Sequence, residues 1–229
     1  MNSPQQNRGM EIVTPLGKDK LLLYRMKVID QIGRPFEISL DLLSTDHNIA
    51  LKDLLGQSAT LGIDLQSGGK RILNGLVNRF SWAGMHSQFA HYRATLVPWL
   101  WFLTRNANCR IFQEKTVPDI IKEVFRDQGF TDFEDRLSGN YRTWDYCVQY
   151  RESDFNFVSR LMEQEGIYYF FSHEDGKHSL VLADAYSSHS VAGNYDTISY
   201  YPPDQGRIRD VEHIYDWSAS LEVQTGAYA

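Results

Sequence analysis

The sequence predicts an α+β fold that is mainly β, with an antiparallel β-barrel domain, an inserted α/β domain and the start of a second β-barrel. Three observations lead there. Residues 20–103 show the period-two alternation of half-buried strands, cut at short intervals by turn signals. Residues 106–186 carry two short helical patterns beside a pair of strand-like runs, and beyond Ser187 the chain becomes polar and turn-rich. The corresponding boundaries are a flexible N-terminal segment over 1–15, the first barrel over 16–105, the α/β domain over 106–186 and the opening of the second barrel over 187–229.

In the first barrel, Phe36, Ile38, Leu40 and Leu42 alternate with Glu37, Ser39 and Asp41, the signature of a strand with one dry and one wet face. Turns are expected at Ile32-Gly33-Arg34-Pro35, Ser67-Gly68-Gly69-Lys70 and Ala83-Gly84-Met85-His86. Between them, Ala59 to Leu65, Ile72 to Phe80 and Phe89 to Pro98 read as further strands. In the α/β domain, Thr116-Val117-Pro118-Asp119 has the composition of a helix start: a hydroxyl cap, proline in the first turn and a carboxylate facing the free amides. Ile120, Ile121, Val124 and Phe125 supply its apolar stripe and Gly129 its stop. A second helix repeats the scheme with Ser153 as cap, Phe157, Val158, Leu161 and Met162 as stripe, and Gly166 as terminator. Ile167-Tyr168-Tyr169-Phe170-Phe171 is a strand for these helices to pack on, His173 to Lys177 a turn, and Ser179 to Ala183 a returning strand. Ile198 to Tyr201 and Val211 to Trp217 read as strands of the next β-domain, which has not closed when the sequence stops at Ala229.

Composition bounds the function. With 42% hydrophobic and 13% aromatic residues the 229-residue chain can bury one large or two smaller cores. Its apolar runs fall far short of the ~20 residues that cross a bilayer. Residues 1–10 lack the apolar stretch of a cleavable signal peptide, so folding in the cytoplasm is expected. Cys109 and Cys147 form neither a CxxC pair nor a metal-ligand spacing, and both are read as small buried apolar residues. The net charge is -6, with Lys and Arg scattered along the chain, so no nucleic-acid or anionic-membrane footprint is expected and a partner should be protein.

The groups that could carry chemistry are few. His86 with His91, and His173 with His178, are each five positions apart in regions read as strand or turn, where an odd separation sends two side chains to opposite faces. They are expected to be solvated or hydrogen-bonded. Asp132, Glu134 and Asp135, and Glu163 with Glu165, could serve a glycosidase only if held in a cleft at a fixed separation, and charge runs near helix ends are usually solvated. No GxSxG, HExxH, phosphate loop or GxGxxG is present. No catalytic, cofactor-binding or metal-ligating residue is therefore assigned, no cofactor is expected, and the chain is read as not an enzyme. The two aromatic runs, Trp99-Leu100-Trp101-Phe102-Leu103 and Tyr168 to Phe171, suit either core packing or a subunit interface.

Those same residues carry a family resemblance. Val97 to Thr104, Cys109-Arg110-Ile111-Phe112-Gln113, Thr116 to Ile121 and, most specifically, the ungapped stretch Tyr146 to Phe171 resemble successive blocks of VgrG-type spike proteins of type VI secretion systems and of related phage tail hubs. The resemblance covers roughly residues 20–225 and implies two similar hub barrels with an α/β insertion. It further implies a homotrimer in the full-length protein whose six barrels form a pseudo-hexameric ring, an adaptor between the hexameric Hcp tube and a membrane-puncturing needle. Baseplate proteins, spike-tip proteins and effectors are the implied further partners, with membrane contact only through a needle that is not in this sequence. The implied location is cytoplasmic during assembly, followed by export through the type VI apparatus without a signal peptide. A contractile phage tail hub uses the same architecture, and a peptidoglycan hydrolase built on the acidic clusters is the reading of another class.

Overall fold

In a computed structural model, which describes residues 9–65, 68–190, 197–203 and 213–221, six strands between Met10 and Val97 form one antiparallel sheet. Its strands are β1 (Met10–Val13), β2 (Leu22–Ile29), β3 (Glu37–Ser44), β4 (Ser58–Asp64), β5 (Lys70–His86) and β6 (Phe89–Val97), in the order β1-β4-β5-β6-β3-β2. The edge strands β1 and β2 approach each other, so the sheet curls into a half-barrel. The alternation in β3 is realised: Ile38, Leu40 and Leu42 are buried while Glu37, Ser39 and Asp41 face outward. Burying each such aliphatic side chain contributes about 1.5–3 kcal/mol, which fixes the register, because a one-residue slip would put all three in water.

Three expectations change here. Within the stretch expected to be flexible, residues 10–13 form β1, paired with β4 from Met10↔Ile63 to Val13↔Thr60. Ala83 to His86 is not a turn, because β5 continues to His86 and the chain reverses at Ser87 and Gln88. Gly84, at φ +103, sits where the β5–β6 register shifts between Trp82 and Gly84, so this glycine serves a bulge. The β reading also ran to residue 103, whereas Trp99–Arg105 is a 3-10 helix, with Pro98 as the last extended residue before it.

The remaining described elements are β7 (Asn108–Phe112), α1 (Val117–Asp127), β8 (Phe133–Arg136), β9 (Cys147–Glu152), α2 (Asp154–Glu165), β10 (Tyr168–Glu174) and β11 (Lys177–Ala183). Both helices begin as their residues dictate. Thr116 Oγ1 accepts from the Asp119 amide at 3.3 Å, and Ser153 Oγ accepts from the Asn156 amide at 3.1 Å. Gly166 closes α2 in the left-handed conformation. The hairpin is longer than its sequence suggested: His173 and Glu174 belong to β10, Lys177 and His178 to β11, and only Asp175 and Gly176 turn. Two pairings had no signal in the sequence, β8 running parallel to β11 and β7 antiparallel to β9. Of the strands expected after residue 197, the described part is a bridge between Tyr200 and Ile214, and residues 211 and 212 lie outside the described residues. Sheet, helices and hairpin share one continuous apolar core.

Candidate functional site

Two buried polar clusters and one exposed face account for most of the residues that could carry function. The first cluster joins the curled sheet to the β10–β11 hairpin. Asn74, 1% exposed on β5, donates its amide to Ser58 Oγ at 2.9 Å, Thr60 Oγ1 at 2.9 Å and the Ala59 carbonyl at 3.3 Å. Its carbonyl oxygen lies 2.8 Å from His178 Nδ1, while His178 Nε2 accepts the Trp99 backbone N–H at 2.9 Å. Because Nε2 is an acceptor, the ring proton sits on Nδ1 and points at Asn74, so the geometry requires neutral imidazole. Burial pushes the His178 pKa down to about 3 and also lowers that of His173.

Apolar surfaces close the joint. Phe36 packs edge-on against Phe171 at 5.0 Å and against the His178 ring at 5.6 Å. Neighbouring Gly75 is closely packed: a Cβ there would meet Leu96 Cβ at 3.0 Å and Phe36 Cε2 at 3.2 Å, so a larger residue would push these side chains back by a few tenths of an ångström. Further out, Gly33 N–H donates to the Tyr169 carbonyl at 2.8 Å, and Gly176 N–H to Thr60 Oγ1 at 3.0 Å.

The second cluster lies under the start of α2. The fully buried Asp154 carboxylate accepts from Arg110 Nη2 at 2.5 Å, Gln149 Nε2 at 2.7 Å, Asn106 Nδ2 at 2.7 Å and Asn108 Nδ2 at 3.2 Å. Arg110 also reaches Asp127 at 3.1 Å, at the far end of α1. The enclosed Asp154 carboxylate, surrounded by donors, ties β7, β9, α1 and α2 together.

The histidine pairs are arranged differently from the sequence reading. His173 and His178 do not point to opposite faces; they are direct cross-strand partners with ring centroids 6.4 Å apart. The period-two rule holds within one strand, and the two-residue turn folds this pair onto one face. His86 ends β5 against Phe89 and packs on Tyr24 at 5.0 Å, whereas His91 lies opposite Gly84 with Nε2 2.9 Å from Asp41. Among the described residues no three His, Cys, Asp or Glu side chains are grouped as metal ligands.

The acids are dispersed and paired. Asp132, Glu134 and Asp135 lie on or beside β8, not at a helix end; Asp135 meets Lys122 at 2.8 Å, Glu134 meets Arg136 at 2.7 Å and Asp132 meets Lys177 at 3.9 Å. Glu163 and Glu165 lie in the last turn of α2, Glu163 exposed and Glu165 half-buried. Cys147 is buried, which pushes its thiol pKa up, but Cys109 is exposed on β7 and corrects the expectation that both are buried. Each aromatic run divides: Trp99 stacks on Phe130 at 4.9 Å and donates to the Asp132 carbonyl, whereas Trp101 and Phe102 remain partly exposed. Exposed Ile111, Tyr146 and Tyr150 add apolar surface around the β7–β9 ribbon. No helix among the described residues is long and apolar enough to cross a membrane.

The basic residues correct a further expectation. Scattered in sequence, Arg25, Lys27, Arg79 and Arg93 are gathered by strand register on the outer face of the curled sheet. That gathering had no local signal, because it depends on which strands become neighbours.

The chain is similar to known proteins in sequence and in fold. The family described as phage tail baseplate hub (GPD) matches residues 29–229. Two type VI secretion system spike proteins of Pseudomonas aeruginosa, VgrG1b and VgrG1a, are 52% and 51% identical to this chain over 97% of its length. The chain spans only 30% and 34% of those two relatives. Among solved structures, an E. coli component of the type VI secretion system, described as similar to the T4 bacteriophage tail proteins gp27 and gp5, has the same fold. It superimposes with a TM-score of 0.67 at 23% identity, covering 86% of this chain and 53% of the other.

Proposed function

The chain belongs to the phage tail baseplate hub family and is homologous to VgrG spike proteins, and from that premise we propose that it forms the structural hub of a type VI secretion spike. The observation that carries this reading is the identity of about one residue in two with two spike proteins along nearly the whole chain. In this role residues 16–105 are the first hub barrel, 106–186 the inserted α/β domain and 187–229 the start of a second barrel. Three chains of the full-length protein place six barrels in a ring, which lets a three-fold spike sit on a six-fold Hcp tube. The hub then links that tube and the baseplate to the needle and travels with effectors and spike-tip proteins out of the cytoplasm through the apparatus, without a signal peptide. A contractile phage tail hub is the neighbouring reading, since the matching family is named for such hubs.

Two features of the molecule support an assembly role over catalysis. Asn74, His178 and Asp154 are engaged in the joint and in the ionic cluster, and of the acids weighed for glycan cleavage Asp132, Glu134 and Asp135 are exposed and salt-bridged. Apolar side chains such as Ile111 and Tyr150 meanwhile remain exposed, as subunit contacts require. The test is sedimentation of the 229-residue chain beside the same chain extended by the remainder of its own protein. A monomer or broad aggregate is expected for the first and a discrete trimer for the second; an extended protein that stays monomeric overturns the hub reading. A cell-wall zymogram should show no clearing, and clearing lost on replacing Glu134 or Glu163 would favour the hydrolase.

A further inference from the structure

The outer face of the curled sheet holds a cationic field built entirely by register. One cross-strand row runs Arg25, Asp41, Arg93, Ser81 over β2, β3, β6 and β5. The next row outward on the same face runs Lys27, Ser39, Thr95, Arg79. With strands about 4.8 Å apart and same-face neighbours about 6.8 Å apart, the eight positions cover a field of about 14 by 7 Å. They line one shallow depression floored by Leu40 and Ala94.

Three of the four cations in this field are not used in internal ion pairs among the described residues. Arg93 pairs with Asp41 at 3.2 Å, and Asp41 is shared with His91 at 2.9 Å. Arg25, Lys27 and Arg79 make no ion pair with a carboxylate among the described residues. The nearest further acid along β3 is Glu37, at the rim, which takes the Ser39 hydroxyl at 3.4 Å. Four cations against one central carboxylate is a local excess of positive charge on a chain whose net charge is -6. The closest like charges are Arg25 and Lys27, two apart on β2, and the diagonal pair Arg93 and Arg79 on the adjacent strands β6 and β5, and their mutual repulsion is relieved when an anion from outside the chain neutralises them.

We propose that this face docks a carboxylate-rich segment of a partner protein. Charge complementarity selects the occupant: flexible cations surround the Ser81 and Thr95 hydroxyls, which can donate to carboxylate oxygens. The lining residues include no aromatic ring on which bases could stack and no apolar wedge to enter a lipid surface. This inference goes beyond the hub assignment and does not depend on it.

The experiment is fluorescence anisotropy of a labelled oligo-glutamate peptide titrated with the 229-residue chain at low and high salt, beside a glycine-serine peptide, an oligothymidylate and vesicles of anionic phospholipid. Oligo-glutamate should bind in a salt-sensitive manner and the triple variant Arg25→Gln, Lys27→Gln, Arg79→Gln should weaken it about tenfold, as three exposed charge pairs allow. The control pair Lys52→Gln, Arg71→Gln, on exposed cations elsewhere, should leave binding unchanged, and an unaltered thermal melt will show that the triple variant is folded. Oligo-glutamate binding no tighter than the neutral peptide, or unaffected by the triple variant, overturns the proposal. So does tighter binding of the oligonucleotide or the vesicles through the same residues. A triple variant that changes the sedimentation of the chain by itself assigns the face to self-contact instead, which also overturns it.

Discussion

The two buried polar clusters perform the same mechanical task by opposite electrostatic means. The joint around Asn74 and His178 is neutral and holds the sheet to the hairpin through hydrogen bonds whose geometry works only for an uncharged ring. The cluster around Asp154 is ionic and holds strands and helices through a carboxylate that receives a guanidinium and three amide groups. A neutral network is cheaper to bury and cheaper to lose, but it is vulnerable to protonation. An enclosed ion pair gains little over apolar packing, yet becomes very costly once one partner is removed. The fold therefore depends on the two clusters differently, and substitutions in each should differ in size and in pH dependence.

The largest effect is expected at Asp154. Asp154→Ala leaves Arg110 without its buried partner and several amides unsatisfied, and should cost about 3–5 kcal/mol, read as a drop in the urea midpoint or as failure to fold. A loss below about 1 kcal/mol would mean that Arg110 relaxes to its exposed partner Asp127 and that the ionic cluster is no stronger a tie than the neutral one. Asn74→Ala should cost somewhat less, about 3 kcal/mol at most, since it strands the His178 Nδ1–H and the Ser58, Thr60 and Ala59 oxygens that its amide serves, without exposing a charge. Its loss should exceed that of an exposed substitution such as Lys52→Ala, which touches nothing in either cluster.

Acid should separate the clusters further. The folded pKa of His178, about 3, lies below its ordinary value of 6.5, and that of His173 is lowered in the same direction. In that window the unfolded chain binds more protons than the folded one. Stability is then complete above pH 6.5 and falls as the pH is lowered toward the folded pKa. By pH 5 His178 alone should have lost about 2 kcal/mol. The carboxylates whose pKa is held below 3.8, Asp41 and Asp119 among them, lose their contribution only at lower pH, so they do not obscure the window. Urea midpoints at pH 7 and pH 5 measure the slope, and His178→Gln should flatten it; an unchanged slope would show that another group carries the acid sensitivity.

What could be read in the sequence was local. Thr116 and Ser153 announced the helix starts, Gly166 the end of α2, and the alternation from Phe36 to Leu42 the buried face of β3. Gly84 reads as a turn in the sequence yet serves a bulge, because a glycine with positive φ suits either purpose. The joint was invisible for a different reason: Asn74, Trp99 and His178 are far apart in sequence, and no periodicity marks a contact between strands that meet only after folding. Even the histidine pair, read with the right rule, was placed wrongly because the rule was applied across a turn. The cationic face failed in the same way, since two residues on β2 and one each on β5 and β6 look scattered until register aligns them. Local signals set elements; pairing between distant elements sets the sites.

That division can be tested at its cheap end. Ser153 is the most legible residue of the α/β region and stands directly before Asp154, so its replacement perturbs the same helix start by purely local chemistry. Ser153→Ala removes one acceptor, at 3.1 Å from the Asn156 amide, and that amide lies near water, which can replace it. The cost should be about 1 kcal/mol, several-fold below that of Asp154→Ala one position on. Thr116→Ala should behave alike at the start of α1, where the Asp119 amide loses its cap. Urea midpoints of both variants beside Asp154→Ala give the ratio. If Ser153→Ala matched Asp154→Ala, the cap would be acting through the buried carboxylate by displacing the first turn of α2, and the two would have to be regarded as one cooperative unit.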